Sequence, residues 1–198
     1  MGRAEQSKNQ ALSGRLKAET RDLHEAVERE VDVMREDLSD QHYLRLVCRF
    51  YGFYKPLESR LEGVAGLEEA CPDLARRRKA PLLERDLATL SLSSGEIRDI
   101  PRCAILPEVL SPYDGLGCLY VMEGATLGGA IISRHVTARL GVTAEAGAAF
   151  FSSYGDGRGA MWKAFIACLD AVPADRHEDV VAAARQTFSR FTNWLKPA

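Results

Sequence analysis

Apolar residues recur every three or four positions along most of this 198-residue chain. One such stripe runs from Leu12 to Val31 and another from Tyr43 to Leu61. This spacing places the apolar side chains on one face of an α-helix, whereas a half-buried strand alternates with a period of two. No segment alternates convincingly, and no Asn-Gly or Asp-Gly pair separates two β-branched runs. The sequence therefore predicts an all-α fold.

The helical pattern predicts one compact domain behind a short polar extension. We expect residues 1–10 to be disordered, because they are polar and carry no apolar stripe. Residues 11–198 then form a single helical domain, an ordinary length for one hydrophobic core. Pro56 is expected to kink or split the second helix. The helix-forming composition of residues 73–92 predicts a third helix, and Asp175 with Glu178 predicts the capped start of the last one.

Charge and composition argue against several functions. A net charge of −2 and a pI near 6.1 are unlike those of general nucleic-acid binders. No uninterrupted apolar run of about 18 residues occurs, so we expect no membrane-spanning segment. The N-terminus lacks a secretory apolar region. The five cysteines are widely spaced without a CxxC pair, which is typical of free thiols in a reducing compartment. We therefore expect a soluble, cytoplasmic protein.

One predicted helix is unusually rich in glycine. Ser111, Pro112 and Asp114 supply an N-cap, a first helical residue and an acid near the positive end. Five glycines follow within fifteen residues, each costing about 1 kcal/mol relative to Ala: Gly115, Gly117, Gly124, Gly128 and Gly129. Gly124 and Gly128 share one face. Close helix–helix packing and a backbone surface against a flat ligand both explain the pattern.

His24 has the most suggestive neighbours of the four histidines. Lys17 and Thr20 precede it by seven and four residues and Glu28 follows by four, so all share one helix face. A neutral imidazole can ligate iron through one nitrogen while donating its other N–H, here to Glu28. A lone helical histidine is more often a surface or hydrogen-bonded core residue, and that alternative stays open here. The remaining histidines lack such company: His42, His135 and His177.

Four segments of the chain match a known family in order and at plausible spacing. They are residues 16–28 with the Leu23-His24 pair, residues 43–58, residues 78–87, and Leu119–Gly129, which is the most specific. Together they resemble the haem oxygenase family, particularly its soluble bacterial branch. The resemblance implies an all-α domain in which haem lies between a proximal N-terminal helix and a kinked, glycine-rich distal helix.

The resemblance also implies a role for each candidate residue. His24 is expected to ligate the haem iron with Glu28 as its partner. Gly124 and Gly128 are expected to act as catalytic main chain on the opposite face. The other expected haem contacts are Lys17, Thr20, Tyr120, Gly129, Lys163 and Phe188, with Lys17 and Lys163 near the propionates. Ala125 departs from the Ser or Asp of related enzymes, and Ala167 from a basic residue in some.

The implied function is oxidative cleavage of haem b, which is substrate and cofactor together. The expected products are biliverdin, carbon monoxide and ferrous iron, and the expected co-reactants are O2 and electrons from a ferredoxin or an NAD(P)H-dependent reductase. Neither nucleic acid nor a membrane is an expected partner. A non-catalytic haem carrier on the same scaffold is one alternative. A thiaminase-type or non-haem di-iron protein is another, although no repeated set of di-iron ligands is evident.

Two further segments are interpreted as structural. The basic run from Arg76 to Lys79 is typical of a solvated helix face, with a docking patch for an acidic electron donor as the alternative. The glycine-rich segment from Tyr154 to Gly159 lacks a GK[ST] sequence, so it predicts a loop between helices rather than a phosphate loop.

Overall fold

The computed structural model describes residues 11–196, so the predictions for residues 1–10 lie outside the described part of the chain. Between residues 11 and 196 the only β pairing is an isolated bridge between Thr143 and Gly147. The all-α prediction is therefore confirmed. The helices are α1 Leu12–Glu19, α2 Arg21–Val31, α3 Asp40–Glu62, α4 Leu67–Ala70, α5 Ala80–Thr89, α6 Ser94–Asp99, α7 Pro112–Leu140, α8 Arg158–Asp170 and α9 His177–Leu195, with 3-10 turns at Leu74–Arg77, Gly155–Gly157 and Ala174–Arg176.

The first apolar stripe forms two helices rather than one. Thr20 separates α1 from α2 with φ −114° and ψ 4°. Its hydroxyl donates to the carbonyl oxygen of Leu16 at 2.7 Å, a bond to the preceding turn that often bends a helix. The N–H of His24 still bonds the carbonyl of Thr20 at 2.9 Å, so the chain passes directly into α2. Helix α2 packs against α9.

Helix α7 begins as the sequence predicts and crosses the protein without interruption. The Ser111 hydroxyl accepts the N–H of Asp114, and the Asp114 carboxylate accepts the N–H of Ser111, which forms a capping box. Gly141, with φ +72°, ends the helix in the left-handed conformation. By length and composition, α7 is the one helix within residues 11–196 able to cross a membrane, but 56% of its most apolar window is buried. Such burial is typical of a core helix.

Close packing explains three of the α7 glycines. A Cβ added at Gly115 would lie 2.8 Å from the side chain of Leu67, and one at Gly117 would overlap the main chain of Val180 on α9. At Gly129 it would overlap the carbonyl oxygen of Phe151. These three positions bring backbone against neighbouring elements, which is the first interpretation of the glycine pattern.

Two predicted helix starts were wrong. The run from residue 73 does not form one helix, because Arg78 is extended (φ −63°, ψ 131°) and α5 begins only at Ala80. The buried Glu58 carboxylate accepts the N–H groups of Lys79 and Ala80, which satisfies the first donors of α5. The last helix begins at His177 after a 3-10 turn, and no side chain caps it. In α3, by contrast, the helix is not split at Pro56.

The basic run at residues 76–79 was also misread as a solvated face. Arg77 is 2% exposed and Lys79 is fully buried, whereas Arg76 and Arg78 are exposed. Both buried cations bond the carboxylate of Glu123 on α7. A cation is stable in the protein interior only when it is paired with an opposite charge and hydrogen-bonded. The sequence alone did not identify Glu123 as that partner.

Candidate functional site

Two adjoining cavities lie between α2 and α7. The inner cavity has a volume of about 600 Å³ and the outer one about 860 Å³, both in the range of small-molecule sites. Five residues line both cavities and join them into what we call the groove: His24, Glu25, Glu28, Gly128 and Phe188.

The two cavities differ in chemistry. The inner cavity is walled mainly by apolar side chains, which are Val27, Val31, Val33, Met34, Phe50, Val121, Ile131, Ile132, Phe151 and Phe191. The outer cavity carries the cations Lys17 and Arg21 together with Tyr120, Trp162 and Ile166. Glu25 and Glu28 lie where the cavities join, so the charged residues confined to the outer cavity are Lys17 and Arg21, and those confined to the inner cavity are Arg29 and Asp32. The groove therefore has one mainly apolar end and one end that bears two cations. This polarity suits a flat apolar molecule that carries acidic groups along one edge.

His24 presents a half-exposed imidazole to both cavities. Its Nδ1 lies 3.6 Å from a carboxylate oxygen of Glu28, a distance slightly beyond a direct hydrogen bond but short enough for the carboxylate to attract an N–H at Nδ1. The ring of Phe188 meets the imidazole edge-on at 5.9 Å and 74°, which limits its rotation. Among residues 11–196 nothing hydrogen-bonds Nε2 of His24, so this nitrogen is available to a metal.

Gly124 and Gly128 lie on the α7 side of the groove. A Cβ added to either glycine would meet nothing within 4 Å. They therefore leave main chain bare toward the cavities, as the second interpretation of the glycine pattern expects. Gly129, which was expected beside them, faces Phe151 instead and does not line either cavity. The close approach of the Phe151 main chain explains why position 129 is a glycine.

The outer cavity collects most of the remaining candidates. Lys17 is exposed at its edge, and Thr20 is 2% exposed with its hydroxyl bonded to Leu16. Tyr120 is half-buried, and burial raises the pKa of its phenol above the ordinary value of 10.0. Its ring lies 6.1 Å from that of Trp162. Lys17, Thr20 and Tyr120 thus all line the outer cavity, Lys17 and Thr20 from the α1 side and Tyr120 from α7.

The structure does not bring Lys163 to the groove. Its side chain is exposed on α8, and the residues of α8 that line the outer cavity are Trp162 and Ile166. Each residue advances about 100° around a helix, so Lys163 lies about 100° from Trp162 and about 60° from Ile166, at the margin of the face that lines the cavity. Arg21 lines the outer cavity and was missed. The four-residue spacing from Lys17 would have identified it.

Exposed apolar side chains concentrate at the groove. The described residues include five large hydrophobic side chains that are clearly exposed, and three of them line the cavities: Met34 at 49%, Leu127 at 45% and Ile131 at 57%. Clustered apolar exposure commonly marks a binding surface, because a ligand that covers it removes the surface from water.

Comparisons of sequence agree with this geometry. The Heme oxygenase family model matches residues 10–197. A protein named Heme oxygenase PigA, from Pseudomonas aeruginosa, is 30% identical over 194 residues, which cover 97% of this chain and 95% of that protein. The resemblance predicted from sequence is confirmed.

Two solved structures share the fold. A haem oxygenase from Neisseria meningitidis, solved with NO and CO bound, superposes with a TM-score of 0.74 at 24% identity, covering 93% of this chain and 90% of that one. A haem oxygenase from Leptospira interrogans gives 0.73 at 18% identity, covering 94% and 98%.

Proposed function

Because this chain belongs to the haem oxygenase family, we propose that it binds haem in the groove and cleaves it oxidatively to biliverdin, carbon monoxide and ferrous iron. The observation that carries the proposal is the pairing of His24 on α2 with the bare main chain of Gly124 and Gly128 on α7. This pairing offers one metal ligand on one wall and an uncovered surface on the other.

On the proximal wall, we assign His24 as the iron ligand. Its Nε2 has no hydrogen-bond partner among residues 11–196, and the nearby Glu28 carboxylate favours a proton on Nδ1. That tautomer leaves a lone pair on Nε2 and makes the imidazole a better donor to a metal. Glu28 therefore acts on the iron only through the imidazole. The Phe188 ring, 5.9 Å away, restricts the orientation of the imidazole plane of His24.

On the distal wall, Gly124 and Gly128 let α7 approach the porphyrin plane with no side chain between them. Haem itself supplies the iron at which dioxygen is reduced and the ring carbon that is oxidised. The protein contributes the shape of the space above the iron and room for ordered water. Ala125, which lines the inner cavity, brings no polar group to that water. Main-chain groups of α7 are therefore its expected partners.

The polarity of the groove assigns an orientation to the haem. Lys17 and Arg21 in the outer cavity are placed to attract the two propionates, whereas the apolar inner cavity suits the ring edge that lacks them. Thr20, Tyr120 and Trp162 line the outer cavity around the propionate end. Lys163 is not included, because it does not reach the groove.

The proposal includes partners and location. The reaction consumes O2 and electrons, and we propose a ferredoxin or an NAD(P)H-dependent reductase as the external donor. We also propose that the protein works in the cytoplasm. Its free cysteines support a reducing compartment, and the burial of α7 supports a core helix rather than a membrane span.

Haemin titration followed by aerobic turnover tests the function. Purified protein with haemin and a reductant in air is expected to form a Soret band that decays, with biliverdin identified by chromatography and carbon monoxide trapped by a ferrous globin. A stable Soret band without biliverdin would favour the haem carrier instead. Absence of saturable haemin binding would exclude both.

A further inference from the structure

A buried ionic cluster lies beside α7, outside the residues that line the groove. At its centre is the carboxylate of Glu123, which is 1% exposed. It accepts hydrogen bonds from Nη1 of Arg77 at 2.6 Å, from Nζ of Lys79 at 2.7 Å and from the hydroxyl of Tyr154 at 2.9 Å. Three donors from outside α7 therefore converge on one carboxylate of that helix.

The cluster connects four separate segments, which are residues 73–79, α7, the loop at Tyr154 and α8. Arg77 donates through two nitrogens to Asp73, each at 2.6 Å, and donates to the carbonyl of Met161 on α8. The ammonium of Lys79 also donates to the carbonyl of Arg77 and to the hydroxyl of Tyr154, so its three donors are all used. The charges of Arg77, Lys79, Glu123 and Asp73 cancel. These bonds hold the 3-10 turn at Leu74–Arg77 in a fixed position relative to α7 and α8.

Stability alone is a weak reason for such a cluster. Moving charged groups from water into the protein interior carries a large desolvation cost. Apolar residues of similar volume often stabilise a core as much as a buried ion pair does, or more. Hydrogen bonds to charged groups nevertheless depend strongly on direction and distance. Three such bonds to one side chain fix the rotation of α7 about its own axis more sharply than apolar contacts would.

That rotation matters next to Glu123. Gly124 follows it directly and Gly128 comes one turn later, and neither has a side chain to lock into a neighbouring element. Interior glycines also weaken a helix relative to alanine. The packed glycines Gly117 and Gly129 hold α7 against Val180 and Phe151, but Gly124 and Gly128 have no contact of their own. The bonds of Glu123 are therefore the polar anchor next to the open stretch.

We propose that Glu123 is a positioning residue: through Arg77, Lys79 and Tyr154, its carboxylate fixes the rotation of α7 that keeps Gly124 and Gly128 open toward the groove. The inference rests on the proposed function for its purpose. Its physical content concerns the protein before haem binds, which allows a test that does not depend on turnover.

Amide hydrogen exchange in the haem-free protein provides that test. Glu123→Gln keeps the shape but removes the charge, and Glu123→Gln with Lys79→Met restores neutrality if the single variant fails to fold. Tyr154→Phe deletes only one hydroxyl and is expected to fold. A lost hydrogen bond to a charged group should speed exchange at residues 124–131 about tenfold in Tyr154→Phe, and by more in the others.

A second readout uses carbon monoxide as a probe of the ferrous haem complex. Displacement of the α7 main chain should shift the C–O stretching frequency in the Glu123 and Tyr154 variants, whereas a loss of global stability alone would leave the frequency of the folded complex unchanged. The exchange readout needs no haem, so it stands even if haem binding by the wild type fails.

Glu84→Gln is the matched control. The Glu84 carboxylate also accepts from a tyrosine and a lysine, Tyr51 at 2.6 Å and Lys55 at 3.1 Å, but it belongs to α5 and is partly exposed. Its loss should leave exchange at residues 124–131 and the C–O frequency as in the wild type. Wild-type exchange and frequency in Tyr154→Phe and in a folded Glu123 variant would overturn the proposal, as would an equal response to Glu84→Gln.

Discussion

Gly129 lies against the carbonyl oxygen of Phe151 so closely that a Cβ would overlap it, while at neighbouring Gly128 a Cβ would meet nothing within 4 Å. The adjacent residues Gly128 and Gly129 are therefore glycines for different structural reasons. The constraint at Gly129 is packing against main chain, which cannot move aside cheaply. The constraint at Gly128 is the empty space of the groove.

Alanine substitution should therefore change stability in opposite directions at these two positions. Gly129→Ala is expected to destabilise the protein by about 1–3 kcal/mol, as overpacking does. Gly128→Ala is expected to stabilise the haem-free protein by up to about 1 kcal/mol, because alanine is the better helix former. Urea unfolding measures both free energies. Equal destabilisation by the two substitutions would contradict the assignment of Gly128 to the groove.

Replacing His24 tests the iron ligand directly. His24→Ala should weaken haemin affinity about tenfold or more and shift the Soret band, since one metal–ligand bond is lost. Adding free imidazole should restore the spectrum, because the vacated space lies open to the groove. His42→Ala is the control, since His42 lines neither cavity. A wild-type spectrum in His24→Ala would rule out ligation by this residue.

The cationic end of the groove predicts a dependence on the propionates. Lys17→Ala and Arg21→Ala should each weaken haemin binding by roughly 1.5- to fivefold, the range expected for exposed ion pairs. Neither substitution should affect the binding of haemin dimethyl ester, which lacks the two negative charges. Lys163→Ala should change neither affinity, because its exposed side chain does not line the groove. An equal loss of affinity for haemin and for haemin dimethyl ester would show that Lys17 and Arg21 do not act on the propionates.

The half-buried carboxylate of Asp73 and the buried carboxylate of Asp86 should respond to pH with opposite signs. At Asp73 burial opposes ionisation, but the hydrogen bonds and charge of Arg77 prevail and lower the pKa. A lowered pKa in the folded state contributes stability that is present above the unfolded value of 3.8 and lost as the pH falls further. The advantage of the wild type over Asp73→Asn, about 2 kcal/mol at neutral pH, should therefore shrink below pH 3.8.

Asp86 should behave in the reverse way. Burial raises the pKa of its carboxyl group, although the N–H groups of Phe150 and Ala149 oppose the shift. A raised pKa contributes stability that is present below the unfolded value and lost as the pH rises through the folded value. The wild type should therefore gain on Asp86→Asn as the pH falls toward 3.8. Urea unfolding at several pH values distinguishes the two carboxylates. A change of the same sign for both would contradict one assignment, and no change with pH would contradict both.

Much of the fold was predictable because its signals are local. The three- and four-residue spacing indicates helices, and Ser111 with Asp114 caps α7 as predicted. The stripe of Lys17, Thr20, His24 and Glu28 needs only helix geometry, and the structure keeps it on one side of the groove. Errors occurred where a distant group intervened, as when Glu58 took the first N–H groups of α5.

The helical periodicity and the histidine-bearing stripe could be recognised in the sequence, because the period of a helix is a property of neighbouring residues. The contacts between helices distinguished the open glycines from the packed ones, buried Arg77 and Lys79 against Glu123, and left Lys163 outside the lining of the groove. Each of these depends on which helix lies opposite and at what rotation. That relation joins residues far apart in the chain and leaves no periodic trace within it.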